Sequence, residues 1–255
     1  NLVDVFRSVR DVLTDDGTLW VNIGDSYYNY RPGKGQALVK QSVSKTKQDL
    51  PDKCARRGNK LEGLKEKDLI GIPWMLAFAL RADGWYLRQD IIWHKPNPMP
   101  ESVKDRCTKS HEHIFLLSKN KKYYYDNEAI KEPVKQDWGT RNRDAGKYHN
   151  PGTGLQPHSG LTKSYERKNK RDVWTITNKP YKGAHFAVFP PDLIEPCILA
   201  GSREGDIVLD PFMGSGTTAM VAKKHNRNYL GCELHEDYAS LQTDRIDSIP
   251  PQLVL

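Results

Sequence analysis

The sequence predicts an α/β fold: a mixed, mostly parallel sheet with helices on both faces, plus an irregular basic insertion. Three observations predict it. Apolar residues alternate along the chain between a helical repeat and short β-rich runs, the order that parallel-sheet proteins show. Residues 207–246 read strand, glycine-rich turn, helix, strand, helix, and parallel strands need such crossovers. Residues 120–183 break the pattern, mixing Lys and Arg with Tyr123, Tyr124, Tyr125, Trp138, Tyr148, Tyr165, Trp174 and Tyr181 between glycines and prolines.

The elements follow in order. Leu2, Val3, Phe6, Val9, Val12 and Leu13 recur at helical spacing, so a helix opens the chain. Asp15-Asp16-Gly17 supplies a turn, and Thr18 to Gly24 is a short buried strand. Residues 26–67 are polar and aperiodic, which predicts a long flexible loop. Asp68 is the N-cap of an apolar helix that carries Leu69, Ile72, Met75, Leu76 and Leu80 and stops at Asp83-Gly84. Trp85 to His94 and His113 to Ser118 read as strands. A helix over Pro191 to Ala200 precedes a strand at Ile207 to Asp210, a helix from about Thr217 to His225, a strand at Asn228 to Cys232 and a last helix over His235 to Ile246. The divisions are therefore 1–119, an insertion at 120–183, a second half at 184–247 and a tail at 248–255.

Composition narrows the class. A length of 255 residues suits one large domain or a domain with an insertion. The formal charge of +7 and a pI near 9.1 favour a polyanionic partner. A mean hydropathy of −0.72 implies much loop and surface. No two of Cys54, Cys107, Cys197 and Cys232 have zinc-ligand spacing, so no metal is expected and the thiols are reduced in a cytoplasm. The longest apolar run, Ile70 to Leu80, is too short for a bilayer and contains Pro73; no membrane role is expected.

The sharpest signal is Asp210-Pro-Phe-Met-Gly-Ser-Gly-Thr-Thr218. It follows an apolar strand and opens a helix, where glycines let backbone N–H groups approach a ligand. Glu233 ends the next strand, where a carboxylate accepts both hydroxyls of a ribose. A phosphate loop would need Lys after its last glycine, but Thr217 follows Gly216. Gly214-x-Gly216-x-x-Ala219 also matches a dinucleotide fingerprint. Asp210, however, would repel a pyrophosphate and suits the cationic amine of a methionine, which favours S-adenosylmethionine.

At this point the sequence resembles a family. Asp210 to Thr218, made of Asp210, Pro211, Phe212, Met213, Gly214, Ser215, Gly216, Thr217 and Thr218, resembles the cofactor loop of the DNA amino-methyltransferases that modify adenine N6 or cytosine N4. His185-Phe-Ala-Val-Phe-Pro-Pro-Asp-Leu-Ile194, with His185, Phe186 and Ala187, is similar to the segment that closes over the methionine end. Gly17-Thr-Leu-Trp-Val-Asn-Ile-Gly-Asp-Ser26 and Asp90-Ile-Ile-Trp-His-Lys-Pro-Asn97 are similar to two further blocks, and the likeness spans 1–26, 68–134 and 171–247. The cofactor loop comes last, as in the circularly permuted beta group. The resemblance implies a Rossmann-like methyltransferase fold, S-adenosylmethionine as cofactor and double-stranded DNA as partner. It also implies a catalytic half at 1–119, target recognition at 120–183, a cofactor half at 184–247 and a place in restriction-modification in a prokaryotic or phage-like cytoplasm. The family's catalytic loop, Asp or Ser followed by Pro-Pro and an aromatic, does not occur in the sequence. Its expected place is upstream of Asn1, ahead of the first helix, so the 255 residues alone are expected to methylate DNA poorly.

Other residues carry weaker signals. Asp25, with Asn22, ends a central strand and is expected at the cofactor or target. Lys95 and Asn97 are expected at DNA, as is the cluster Lys163, Arg167, Lys168, Lys170 and Arg171. Lys121 to Tyr125 reads either as base-stacking surface or as an ordinary amphipathic strand. Pro196-Cys197 lies inside a helix, which leaves carbon-5 cytosine chemistry without support. The alternatives are an RNA methyltransferase and a non-catalytic DNA-binding remnant.

Overall fold

The computed structural model describes residues 1–28, 63–134, 166–178 and 189–249. Most of the expected loop at 26–67 lies outside them, as do His185, Phe186, Ala187 and Lys163.

Helix α1 (Leu2–Val12) buries Phe6 and Val9, turns at Gly17 and enters strand β1 (Thr18–Ile23). Asn1, the position upstream of which the catalytic loop is expected, is the exposed N-cap of α1. Its backbone carbonyl accepts the Val5 N–H at 3.2 Å, as an N-cap does. Helix α2 (Ile72–Ala82) starts four residues after Asp68. The Asp68 carboxylate accepts the Lys65 N–H at 2.8 Å instead, and a different acid, Asp25, caps the helix. Strands β2 (Tyr86–His94) and β3 (His111–Ser118) follow, then the short strands β4 (Glu132–Pro133), β5 (Arg167–Lys168) and β6 (Val173–Thr175). Helix α3 (Pro191–Gly201), strand β7 (Ile207–Asp210), helix α4 (Thr217–Lys224), strand β8 (Asn228–Gly231) and helix α5 (Asp237–Asp247) complete the described chain.

The main sheet has the order β1-β3-β2-β6. Strand β3 is antiparallel to both β1 and β2, while β2 and β6 are parallel. Strands β1, β2 and β6 thus point one way and β3 alone is reversed, giving the mixed sheet expected. Strand β6 belongs to this sheet, so the core resumes by Val173, ahead of the boundary expected at 183.

Strand β3 is buried on both faces because each is covered by helix. Phe115 and Leu117 join Leu19 and Val21 against α1 and α2 through Phe6, Val9, Leu76 and Leu80. On the opposite face Ile114, Ile91, Trp93 and Trp174 meet Leu193 and Cys197 of α3. Truncating Leu117, which has no exposed surface, to Ala removes roughly 2–5 kcal/mol.

Strands β7 and β8 form a separate parallel pair. Arg203, ahead of β7, bonds Asp16, ahead of β1, at 3.1 Å. At the other end Leu209 packs against the α1–α2 cluster, and the Phe212 ring meets Phe6 edge-on at 6.3 Å. Strands β7 and β1 therefore start at one end of the protein and finish at the other. Their carboxyl tips share an edge, where α/β sheets place ligands.

The Lys121 to Tyr125 run is not a strand. Its rings tie elements together: Arg88 lies 5.5 Å over Tyr123, Arg203 lies 3.9 Å over Tyr124, and Tyr125 stacks on Trp20. Burial pushes the Tyr125 hydroxyl pKa up. Among the described residues no helix is long and apolar enough to cross a membrane.

Candidate functional site

The glycine loop forms as its sequence dictates. Gly214 and Gly216 adopt φ of 52° and 80°, a region that side chains rarely enter. Gly216 is the N-cap of α4. A Cβ on it would stand 3.2 Å from the Gln242 backbone, so strain and crowding both select glycine there.

Two carboxylates frame the loop. Asp210, at the tip of β7, accepts the Phe212 N–H at 2.9 Å and the Thr218 hydroxyl at 2.5 Å. Glu233, two residues past β8, accepts the Gly214 N–H and the His235 N–H, each at 2.8 Å. Helix α5 braces the turn from behind: Gln242 donates to the Gly214 carbonyl at 2.8 Å, and Arg245 donates to the Ser215 hydroxyl at 2.8 Å. Ser215, Thr217 and Thr218 are buried. Their side chains therefore shape the loop. Phe212 is 54% exposed.

Sequence reasoning does not single out Leu234. It is fully exposed beside Glu233, and its place after the acid is the one local signal that marks it.

Asp25 follows the end of β1 rather than that of β7. Its carboxylate accepts the N–H groups of Gly71 and Ile72 at 3.0 Å, and that of Ser26 at 2.8 Å. It is the N-terminal cap of α2, satisfying donors that a helix start leaves open. Asp25, expected at the cofactor or target, thus serves as the cap of α2. Asn22 donates to Glu112 at 3.2 Å and to the His113 carbonyl at 3.1 Å. Lys95 binds the other Glu112 oxygen and lies 4.1 Å over the Trp93 ring. Lys95, expected at DNA, thus has an ion-pair partner within the protein. Asn97 likewise exchanges two hydrogen bonds with the Asn178 backbone, at 3.1 and 3.0 Å.

The basic cluster is partly engaged. Arg171 donates to Glu132 at 3.2 Å, Arg167 to the Lys131 carbonyl at 2.9 Å, and Lys170 lies 5.0 Å over Trp174. Lys170, Arg171 and Trp174 line a cavity of about 340 Å³. Arg167 and Arg171 remain on the surface. Cys197 is buried, and burial drives its thiol pKa far up, so it is no nucleophile. Among the described residues no cluster of His, Cys, Asp or Glu is placed to hold a metal.

A strand, a glycine loop, a helix and an acid at each strand tip, at the carboxyl edge of an α/β sheet, form the kind of site at which α/β proteins bind nucleoside-bearing ligands. The comparisons with known proteins give the family. Residues 1–244 match the DNA methylase family of N6/N4 methyltransferases, and the chain belongs to it. It is similar to the type II methyltransferase M.SmaI of Serratia marcescens, 50% identical over 251 residues, covering 96% of this chain and 73% of that protein. It is also similar to M.Cfr9I of Citrobacter freundii, 47% identical over 245 residues, covering 96% and 70%. Among solved structures, the M1.HpyAVI–SAM complex superposes with a TM-score of 0.56 at 18% identity, covering 96% of this chain and 82% of that one. The cytosine-N4-specific PvuII DNA methyltransferase does so at 0.58 and 19%, covering 95% and 70%. These likenesses show the Rossmann-like fold. Family membership makes the chain an S-adenosylmethionine-dependent DNA methyltransferase that acts on an exocyclic amine of adenine or cytosine.

Proposed function

We propose that the loop Asp210 to Thr218 and Glu233 hold S-adenosylmethionine while the carboxyl edge of β1 and β2 receives the target base of double-stranded DNA. The observation that carries this reading is the pair of carboxylates around the glycine loop. Asp210 is aimed by Phe212 N–H and the Thr218 hydroxyl, and its charge suits an ammonium group. Glu233 is aimed by Gly214 N–H and His235 N–H. A carboxylate offers about four acceptor positions, so it can also take ribose hydroxyls. Leu234 and Phe212 supply apolar surface, and nothing in the donor set neutralises a pyrophosphate. The residues present therefore fit S-adenosylmethionine.

When bound, the cofactor supplies an electrophilic methyl group on a sulfonium. The protein's contribution is to hold the amine in line with that carbon and to exclude water. The protein would thereby present the amine lone pair to that carbon. Arg167, Lys168, Lys170 and Arg171 supply backbone attraction for duplex DNA. The reaction belongs in a prokaryotic cytoplasm, where both substrates occur.

Titration calorimetry with S-adenosylmethionine, and separately with NAD, tests the cofactor site. Glu233→Ala is expected to weaken the methionine cofactor at least about tenfold, a loss near 1.4 kcal/mol. Binding of NAD without the methionine cofactor would overturn the reading.

A further inference from the structure

The chain leaves β2 through Lys95-Pro-Asn-Pro-Met-Pro100, and Met99 at its tip is 85% exposed. Water surrounds the thioether, so it contributes almost nothing to folding. The backbone beneath it is stiff. Three prolines lock their own φ angles, and Asn97 and Met99 each precede a proline, which confines them to extended conformations. Both ends of the segment are tied down. Lys95 N–H donates to the Ser110 carbonyl at 2.7 Å, Asn97 exchanges its two bonds with Asn178, and Glu101 pairs with Arg106 at 2.5 Å. Arg106 in turn lies 3.9 Å over the Tyr27 ring.

Strand β2 runs with β1, and β1 runs with β7. The tip that follows His94 therefore stands on the same edge as Asp210 and the glycine loop. Exposed apolar groups elsewhere, such as Met75 and Phe78, lie on the outer side of α2. Among the described residues, Met99 is the exposed apolar side chain carried on a proline-locked projection at the site edge.

We propose that Met99 is a wedge that enters the base stack of duplex DNA and fills the space left when the target base turns out. This rests on the function proposed above. An exocyclic amine is reached only after the base leaves the stack. The gap costs lost stacking, and inserted apolar side chains, Met among them, offset that cost. A methionine suits the role because its sulfur is polarizable and its unbranched chain adapts to flat ring faces. Rigidity matters equally, since a tip already held in place loses little freedom on insertion.

The test compares the wild-type chain with Met99→Ala and Met99→Leu. The methylated site is first mapped by sequencing plasmid treated with the wild type. Turnover is then measured on a duplex in which the target base is paired and on one in which it faces an abasic position. The wedge predicts that Met99→Ala slows methylation of the paired duplex roughly tenfold or more. It predicts that the abasic partner restores most of that loss, because the base is then already free, and that Met99→Leu keeps most of the wild-type rate. A 2-aminopurine at the target should fluoresce less with Met99→Ala than with the wild type. Equal loss on both duplexes, or no loss on either, overturns the wedge while leaving the proposed function standing. A wild type that takes up S-adenosylmethionine yet binds no duplex DNA overturns both.

Discussion

Asp25 is the position where two roles make opposite predictions. As a cap it accepts three backbone N–H groups, two of them at the start of α2. Capping by a side chain is worth about 1 kcal/mol and up to about 2. The charge adds about 0.3–1 kcal/mol through the helix dipole. Asp25→Ala should therefore cost about 2 kcal/mol, which for a protein of this size lowers Tm by roughly 4–8 °C. Asp25→Asn keeps one acceptor oxygen and loses the charge, so it should fall between Ala and the wild type. Urea denaturation followed by circular dichroism measures the first quantity, and calorimetry with S-adenosylmethionine measures the second. Cofactor affinity of the folded variants should stay at the wild-type value. An Asp25→Ala protein with unchanged stability and abolished cofactor binding would refute the capping argument.

Three further outcomes follow. Gly216→Ala places a Cβ at φ 80° and 3.2 Å from the Gln242 backbone; it should destabilise by about 1–3 kcal/mol and weaken the cofactor, read by thermal melting and calorimetry. For Glu195, burial raises the carboxyl pKa, but hydrogen bonds from Lys224 and His225 outweigh it and the net direction is down. Its stabilising contribution is present above the ordinary carboxylate value of 4.5 and is lost as the pH falls through the lower folded value. Glu195→Gln should flatten the acid side of the stability profile measured by denaturant titration between neutral and acidic pH. Neutralising Lys163, Arg167, Lys168, Lys170 and Arg171 together should flatten the log–log salt dependence of DNA binding by about 0.9 for each phosphate that is no longer paired with a cation. An unchanged slope in fluorescence anisotropy would leave these residues as solvated surface.

Local physics was legible in the residues themselves. Helical spacing found α1, apolar runs bounded by turn residues found β7 and β8, and the φ demands of Gly214 and Gly216 marked the glycine loop between its two acids. Each rests on neighbours a few positions apart, so periodicity and turn chemistry suffice. Tertiary structure decided the rest. Asp25 meets its helix 46 positions away, and no sequence window favoured it over Asp68, the nearer acid of equal capping propensity. Lys95 finds Glu112 17 positions on, and Asn97 finds Asn178 81 positions on. Those partners lie beyond any local sequence window. Strand β6 is too short to announce itself by alternation and exists because β2 offers it an open parallel edge. The sequence by itself determined the elements and the ligand-binding turn, whose energetics are local. Which polar side chains remain for ligands was settled only by folding, because a buried or half-buried charge is driven to whatever partner the topology brings within reach.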